Sequence, residues 1–199
     1  RTFELLEPTA ARHAVRWSQG GRHNLANALA AVAAARHAGV PVAESVAALG
    51  AFTGVRRRLQ LRVEGRGLRV FDDFAHHPTA IATTIAALRA RMSAAGTGDR
   101  LLAVLELRSN SMRRGTHLAA LPAALGAADV VILYAPPELD CDLSALQETL
   151  GSRLTTLSSV EKITERLTTG GQSGDHILIM SNGAFGGLVD QLDGALAAN

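Results

Sequence analysis

Apolar and polar positions change rhythm twice along the chain. Residues 1–19 alternate loosely, as in Ala14-Val15-Arg16-Trp17-Ser18, which predicts an edge strand or hairpin arm. Gly20-Gly21 then punctuates the pattern. From Arg22 to His37 the rhythm turns helical, with Leu25, Ala28, Leu29, Val32 and Ala35 at helical spacing. Gly39 and Pro41 end that helix, and a second short one is expected over Val42 to Phe52. Thr53 to Arg58 is a polar, glycine-containing connector and marks a domain boundary.

Beyond Leu59 the period becomes two. Leu59, Leu61 and Val63 alternate with polar residues, Gly65-Arg66-Gly67 turns, and Leu68, Val70 and Phe71 open a second strand. This is a hairpin signal. Strand and helix then alternate. Strands are expected at Leu101–Leu105, Val130–Tyr134, Arg153–Leu157 and His176–Met180. Helices are expected at Pro78–Met92, His117–Leu125, Leu143–Leu150, Val160–Leu167 and Phe185–Leu196. Repeated βα units imply an α/β fold: a Rossmann-like, mostly parallel sheet with helices on both faces, led by a β-hairpin. A partial helical segment precedes it.

Composition narrows the classes. The chain has 199 residues, 47% of them apolar, and a net charge of +2. Disorder needs low hydrophobicity and high charge, and neither is present. A charge this small gives no footprint for nucleic acid. The longest apolar stretch, Leu118 to Ala135, is broken by Pro122, Gly126 and Asp129, so no membrane span is expected. Cys141 is alone, which excludes an internal disulfide and a cysteine-rich zinc site. Of the 20 basic residues only Lys162 is a lysine.

In open parallel sheets ligands bind beyond the carboxyl ends of the strands. That rule selects Asp72-Asp73-Phe74-Ala75-His76-His77-Pro78-Thr79, between a strand and a helix. Carboxylates here can accept hydrogen bonds from a ribose or hold a cation. Histidines can bind phosphate, act as a base or orient an amine. A capping turn explains a lone Asp or His; four together favour function. The next segment, Glu106 to Gly115, is polar and carries Arg108, Arg113 and Arg114, whose forks suit carboxylates and phosphates. Ser181 to Gly187 places small residues before a helix, where free N–H groups can face an anion. In the first part, Asn24 and Asn27 are three apart on a helix and share a face. Side-chain amides suit a nucleobase edge, and a polar helix start is the plainer alternative. Arg56-Arg57-Arg58 is either a solvated linker or a phosphate clamp.

Together these residues resemble the Mur ligase family, the ATP-dependent amide ligases of peptidoglycan metabolism. GxHNxxN at Gly21 to Asn27, the pair Arg57-Arg58 and DDFAHHPT at Asp72 to Thr79 stand in the family's order. ELRSNSMRRG, LYAPP at Leu133 to Pro137 and MSNGAFGG at Met180 to Gly187 resemble members that join the murein tripeptide L-Ala-γ-D-Glu-meso-diaminopimelate to UDP-N-acetylmuramate. DDxxHHPT also resembles members that add L-alanine. Leu107, in place of an expected proline, and Gln60, in place of a frequent Glu, depart from the pattern.

The resemblance implies the tail of a central ATPase domain over residues 1–52, a hinge at 53–58 and the Rossmann-like last domain over 59–199. It implies a cytoplasmic bacterial enzyme using ATP and Mg²⁺, with most Mg²⁺ ligands outside this chain and no metal ligand assigned within it. The N-terminal and central domains would complete it in cis. Asn24 and Asn27 would meet adenine, Arg57 and Arg58 the ATP phosphates, and Asp73 the ribose. His76 or His77 would lie near the incoming amine. Arg108, Ser109, Asn110, Ser181 and Asn182 would line the tripeptide pocket. The sequence has no GxxxxGK[ST] loop, and Lys162 falls in a late helix, so residues 1–199 alone are expected to be inactive. Competing expectations are an L-alanine-adding ligase, a non-catalytic nucleotide- or anion-binding module, and a metal hydrolase built on Asp72, Asp73, His76 and His77.

Overall fold

The structure, a computed structural model, describes residues 2–17, 19, 21–96, 98–139 and 141–197. Gly20, half of the expected Gly-Gly punctuation, lies outside the described residues. The chain divides into two compact units, Arg1–Arg56 and Arg57–Asn199.

In the first unit, β1 (Thr2–Leu6) and β2 (Arg12–Arg16) form an antiparallel pair. Helices α1 (Arg22–His37) and α2 (Val42–Ala51) follow. The unit's core is small: Leu5, Val15, Trp17, Ala28, Val32 and Val42. Leu6, Leu25, Leu29, Val40, Phe52 and Val55 of the same unit are exposed. Leu25 and Leu29 lie one helical turn apart, so α1 has apolar positions both in the core and in solvent.

The second unit is the α/β domain. A six-stranded sheet has the order β3-β4-β8-β5-β6-β7. Its strands are β3 (Gln60–Gly65), β4 (Leu68–Asp73), β5 (Leu101–Glu106), β6 (Val130–Tyr134), β7 (Leu154–Leu157) and β8 (His176–Met180). Only β3 runs antiparallel, paired to β4. Arg66 and Gly67 both have positive φ (52° and 77°), the backbone pattern of a type I′ turn. Gly67 also lies so close to Ser173 that a Cβ would sit 2.5 Å from its hydroxyl.

Alternation along each strand supplies both faces. Phe71, Leu101, Ala103, Leu105, Val131, Leu133, Leu178 and Met180 pack under α3 (Pro78–Ala95), α5 (Leu121–Leu125) and α6 (Ser144–Leu150). Val70, Leu102, Val104, Ile132, Ile177 and Ile179 pack under α7 (Val160–Gly170) and α8 (Leu188–Ala197). The split follows from right-handed crossovers. Steps β4–β5–β6–β7 move one way across the sheet and place their helices on one face. The return from β7 to β8 places α7 on the other. β8 thus lies between two strands whose following helices leave over the opposite face, the arrangement that opens crevices at strand ends.

Several boundaries differ from expectation. Asn110–Arg113 forms a short helix, α4, inside the segment read as a loop. Ser109 caps it by accepting from the Met112 amide at 3.4 Å. His117 does not begin a continuous helix: a 3₁₀ turn at Leu118–Ala120 comes first. A second 3₁₀ turn, Phe185–Gly187, precedes α8, because Gly186 has φ 55° and breaks the regular helix.

Candidate active site at the carboxyl ends of three strands

Register brings the selected segments together. Asp73 pairs with Met180, and Met180 pairs with Leu105. The residues that follow these three strands therefore emerge side by side. The Ser181 amide donates to the Asp73 carbonyl at 3.2 Å. The Ser181 hydroxyl donates to the Glu106 carboxylate in a short hydrogen bond, and the Gly183 amide donates to Ser181 Oγ at 2.9 Å.

Arg108 lies across Gly183. A Cβ at Gly183 would sit 1.9 Å from Arg108 Nη1 and 2.4 Å from Cζ. The guanidinium therefore occupies the space that any side chain at 183 would need. Ser181 is fully buried, Arg108 and Asn110 are exposed, and Ser109 and Asn182 are half-buried. Asn182 Oδ1 is shielded from solvent with no hydrogen-bond partner among the described residues. Ser109 also meets Ser111, Oγ to Oγ, at 3.3 Å.

Arg57 acts as a clamp. Its Nε donates to both Asp72 oxygens at 3.2 and 3.3 Å, and its Nη2 donates to the Ser181 carbonyl at 2.6 Å. Arg62 approaches the same carboxylate at 3.7 Å. Asp72 is buried, and a buried carboxylate needs such partners. Arg57, expected from the sequence at the phosphates, is engaged here with its own domain. Arg58 differs. It is exposed and stacks over Phe74 at 5.6 Å from the ring centre, with Arg57 over the same ring at 5.3 Å. Arg58 makes no ion pair with another described residue within 4.0 Å, so its donors suit an anionic phosphate.

Asp73 is only 3% exposed. Its Oδ2 accepts from the Leu59 amide at 2.6 Å, and its Oδ1 accepts from the Ala75 amide at 2.8 Å and the Thr84 hydroxyl at 3.3 Å. Burial pushes its pKa above the usual carboxylate range. The Ala75 and Leu59 amides, the Arg58 charge and the Thr84 hydroxyl oppose that shift. A carboxylate offers about four acceptor sites, and here three are taken internally. The group braces the turn from Arg58 to Leu59 against the start of α3.

The two histidines of the motif have different settings. His77 is the N-cap of α3, with Pro78 at the first helical position, and its Nδ1 accepts from the Thr79 amide at 3.4 Å. Its ring meets His117 edge-on at 4.6 Å between centroids. His76 is half-buried. Its Nδ1 lies 2.9 Å from the Phe74 carbonyl, and its ring is edge-on to Phe74 at 5.5 Å.

Glu106 and Gly183 fell inside the selected segments without being given a role, and His117 lay outside them. Glu106 had a signal, a charged residue closing an apolar strand at its carboxyl end. His117 had none, because its neighbour His77 lies 40 positions away. Asn24 and Asn27 belong to the first unit, in the opening turns of α1, where Asn24 is half-buried and Asn27 exposed. Gly21 occupies the N-cap of that helix. Among the described residues no group of three or more His, Cys, Asp or Glu side chains is placed to hold a metal ion. Asp72 and Asp73 are committed to internal partners, so neither the hydrolase alternative nor a Mg²⁺ step draws support from these residues.

The profile of the family described as "Mur ligase, glutamate ligase domain" matches residues 57–183. The chain belongs to the Mur ligase family. It is 45% identical over 183 residues to the UDP-N-acetylmuramate–L-alanyl-γ-D-glutamyl-meso-2,6-diaminoheptandioate ligase of Escherichia coli (strain K12), covering 92% of this chain and 39% of that protein. The ligase of the same name from Haemophilus influenzae is 41% identical over 174 residues, covering 87% of this chain and 38% of that protein. Residues 1–199 thus span about two-fifths of the length of these relatives. A murein peptide ligase from Psychrobacter arcticus 273-4 superposes with a TM-score of 0.73 at 40% identity, over 95% of this chain and 40% of that one. The UDP-N-acetylmuramate–alanine ligase of Thermotoga maritima shares the fold, with a TM-score of 0.72 over 90% of this chain and 39% of that one, at 18% identity. Mur ligase membership accounts for the hairpin-led, mostly parallel sheet and for the motif order noted in the sequence.

Proposed function

We propose that this chain forms the carboxyl-terminal part of an ATP-dependent amide ligase joining the murein tripeptide L-Ala-γ-D-Glu-meso-diaminopimelate to UDP-N-acetylmuramate. The observation that carries the reading is the cluster of Arg108, Gly183 and the Ser181–Glu106 pair at the ends of β8 and β5. The tripeptide brings several carboxylates, and an arginine lying over the Gly183 backbone suits one of them. The 41–45% identities to ligases of that name support the same choice. L-alanine-adding ligases are the second reading, because the Mycolicibacterium vanbaalenii enzyme is 36% identical over 175 residues, 85% of this chain and 36% of that protein.

In the proposed reaction the lactyl carboxylate of UDP-N-acetylmuramate becomes an acyl phosphate at the expense of ATP. The amine of the tripeptide's L-Ala then attacks the carbonyl carbon, and phosphate leaves. Arg58, standing on Phe74, stabilises phosphoryl charge. Arg57 and Asp73 hold Arg58 in place: one ties the strand ends together, the other anchors the Leu59 amide. A ribose contact from Asp73 would use the one acceptor site that its internal bonds leave. Asn24 and Asn27 are assigned to the adenine edge, and Arg108, Ser109, Asn110, Ser181 and Asn182 to the peptide. Mg²⁺ supplies charge neutralisation at the phosphates, and no residue of this chain is assigned to hold it. The 53–58 connector serves as the hinge for closure on ATP. The reading also carries a bacterial cytoplasmic location.

Phosphate release measured with the full-length ligase tests this. Release that needs ATP, UDP-N-acetylmuramate and tripeptide together supports it. Release that is indifferent to the tripeptide contradicts it. Residues 1–199 alone should release none.

A further inference from the structure

The tandem histidines differ in which ring nitrogen holds a lone pair, and the backbone dictates the difference. A carbonyl oxygen only accepts, so His76 Nδ1, 2.9 Å from the Phe74 carbonyl, must carry the proton. A neutral His76 therefore keeps its lone pair on Nε2. No described residue bonds that nitrogen. An amide N–H only donates, so His77 Nδ1 must accept from Thr79. A neutral His77 then carries its proton on Nε2, and its one lone pair is engaged in capping α3. His117, edge-on at 4.6 Å, packs against the ring and helps hold that orientation. To take up a proton, His77 would have to give up the cap.

We infer that His76, through Nε2, accepts the proton of the incoming amine, and that His77 is a positioning residue that caps the helix. The inference rests on the ligase reading above. The amine arrives as R–NH₃⁺, and Nε2 removes one proton. The freed lone pair forms the C–N bond, the C–O bond to phosphate breaks, and phosphate leaves with the electron pair. As the tetrahedral intermediate collapses, the amine nitrogen passes its second proton to the departing phosphate, which leaves as hydrogen phosphate. The resulting imidazolium keeps its Nδ1–H on the Phe74 carbonyl, a bond that strengthens when the ring is charged. His76 also lies against the same Phe74 ring that carries Arg57 and Arg58. Base and phosphate-binding charge are thus built on one platform.

Nitrogen-15 spectra of the imidazoles in the 199-residue chain, taken above the ordinary histidine pKa, read the tautomers directly. His76 should be Nδ1–H and His77 Nε2–H; the reverse pattern overturns the assignment whatever the enzyme does. In the full-length ligase, His76→Gln should lower kcat by about a hundredfold, with KM for ATP within about twofold. His76→Ala should regain about tenfold with added imidazole, which supplies the missing base. His77→Asn retains a capping oxygen, and its rate should not respond to imidazole. Rescue of His77 variants in place of His76 variants would overturn the proposal. Failure of the wild-type enzyme to form an amide with any amine would overturn the ligase reading and the proton transfer with it, while the tautomer split is judged by the spectra alone.

Discussion

Gly183→Ala asks whether the position of Arg108 matters to the peptide substrate. The added methyl would stand 1.9 Å from Nη1, 2.4 Å from Cζ and 2.5 Å from Cδ. Ordinary contact begins near 3.4 Å, so the guanidinium must move by about 1.5 Å. Reacting geometry is sensitive on that scale, with about a hundredfold at stake for a displacement of about 1 Å. A hydrogen bond to a charged group is worth about 1.5–3 kcal/mol. Losing one predicts a fall in kcat/KM for the tripeptide of about ten- to hundredfold. Arg108 is exposed, so the fold should lose less than about 0.5 kcal/mol, as for other surface changes. Steady-state kinetics of full-length Gly183→Ala, Arg108→Ala and the double variant form a cycle. The double variant should be no worse than Arg108→Ala, because both remove one interaction. Additive losses, or equal effects on KM for tripeptide and ATP, would refute the link between Gly183, Arg108 and the peptide.

Two further changes test the frame of the site. Asp73→Asn keeps one acceptor oxygen and turns an NH₂ group toward a buried amide. It should cost about 1–3 kcal/mol in urea unfolding of the 199-residue chain, the cost of an unmade buried hydrogen bond. Its pH dependence has a definite sign. The folded pKa of Asp73 is raised, so ionisation favours the unfolded chain. The penalty is absent below the unfolded value of 3.8 and complete above the folded one. The stability advantage of wild type over Asp73→Asn should therefore shrink as pH rises through that window; growth of the advantage would contradict the burial argument. Arg57→Met leaves the buried Asp72 with the longer Arg62 contact as its one remaining cationic partner among the described residues. It should lower the unfolding midpoint by an amount equivalent to about 1–3 kcal/mol, and an unchanged midpoint would remove Arg57 from its clamping role.

The sheet was readable because its strands alternate: Leu101, Ala103 and Leu105 face one layer, and Leu102 and Val104 the other. The hairpin was readable from Gly65-Arg66-Gly67. What local pattern could not show was strand order. The insertion of β8 between β4 and β5 is a tertiary fact, and it makes Ser181 a neighbour of Asp73 and Glu106. The resemblance assigned Arg57 and Arg58 together to the phosphates and Asp73 to a ribose, but it did not show their partners within the domain. Those partners are fixed by the fold: Asp72 and the distant Ser181 carbonyl for Arg57, and Leu59, Ala75 and Thr84 for Asp73. Helix α4 escaped notice because four residues, Asn110 to Arg113, are too few to show a period. The split start of α8 escaped because Phe185 and Leu188 keep helical spacing although the backbone turns left-handed at Gly186.

The central claim is that this part of the ligase receives a peptide, not a single amino acid. The direct test is amide formation on UDP-N-acetylmuramate by the full-length enzyme, with the murein tripeptide and L-alanine compared at equal ATP. The account predicts a higher kcat/KM for the tripeptide, and Arg108→Ala should erode that preference. A higher kcat/KM for L-alanine would contradict it and leave the L-alanine-adding reading in its place.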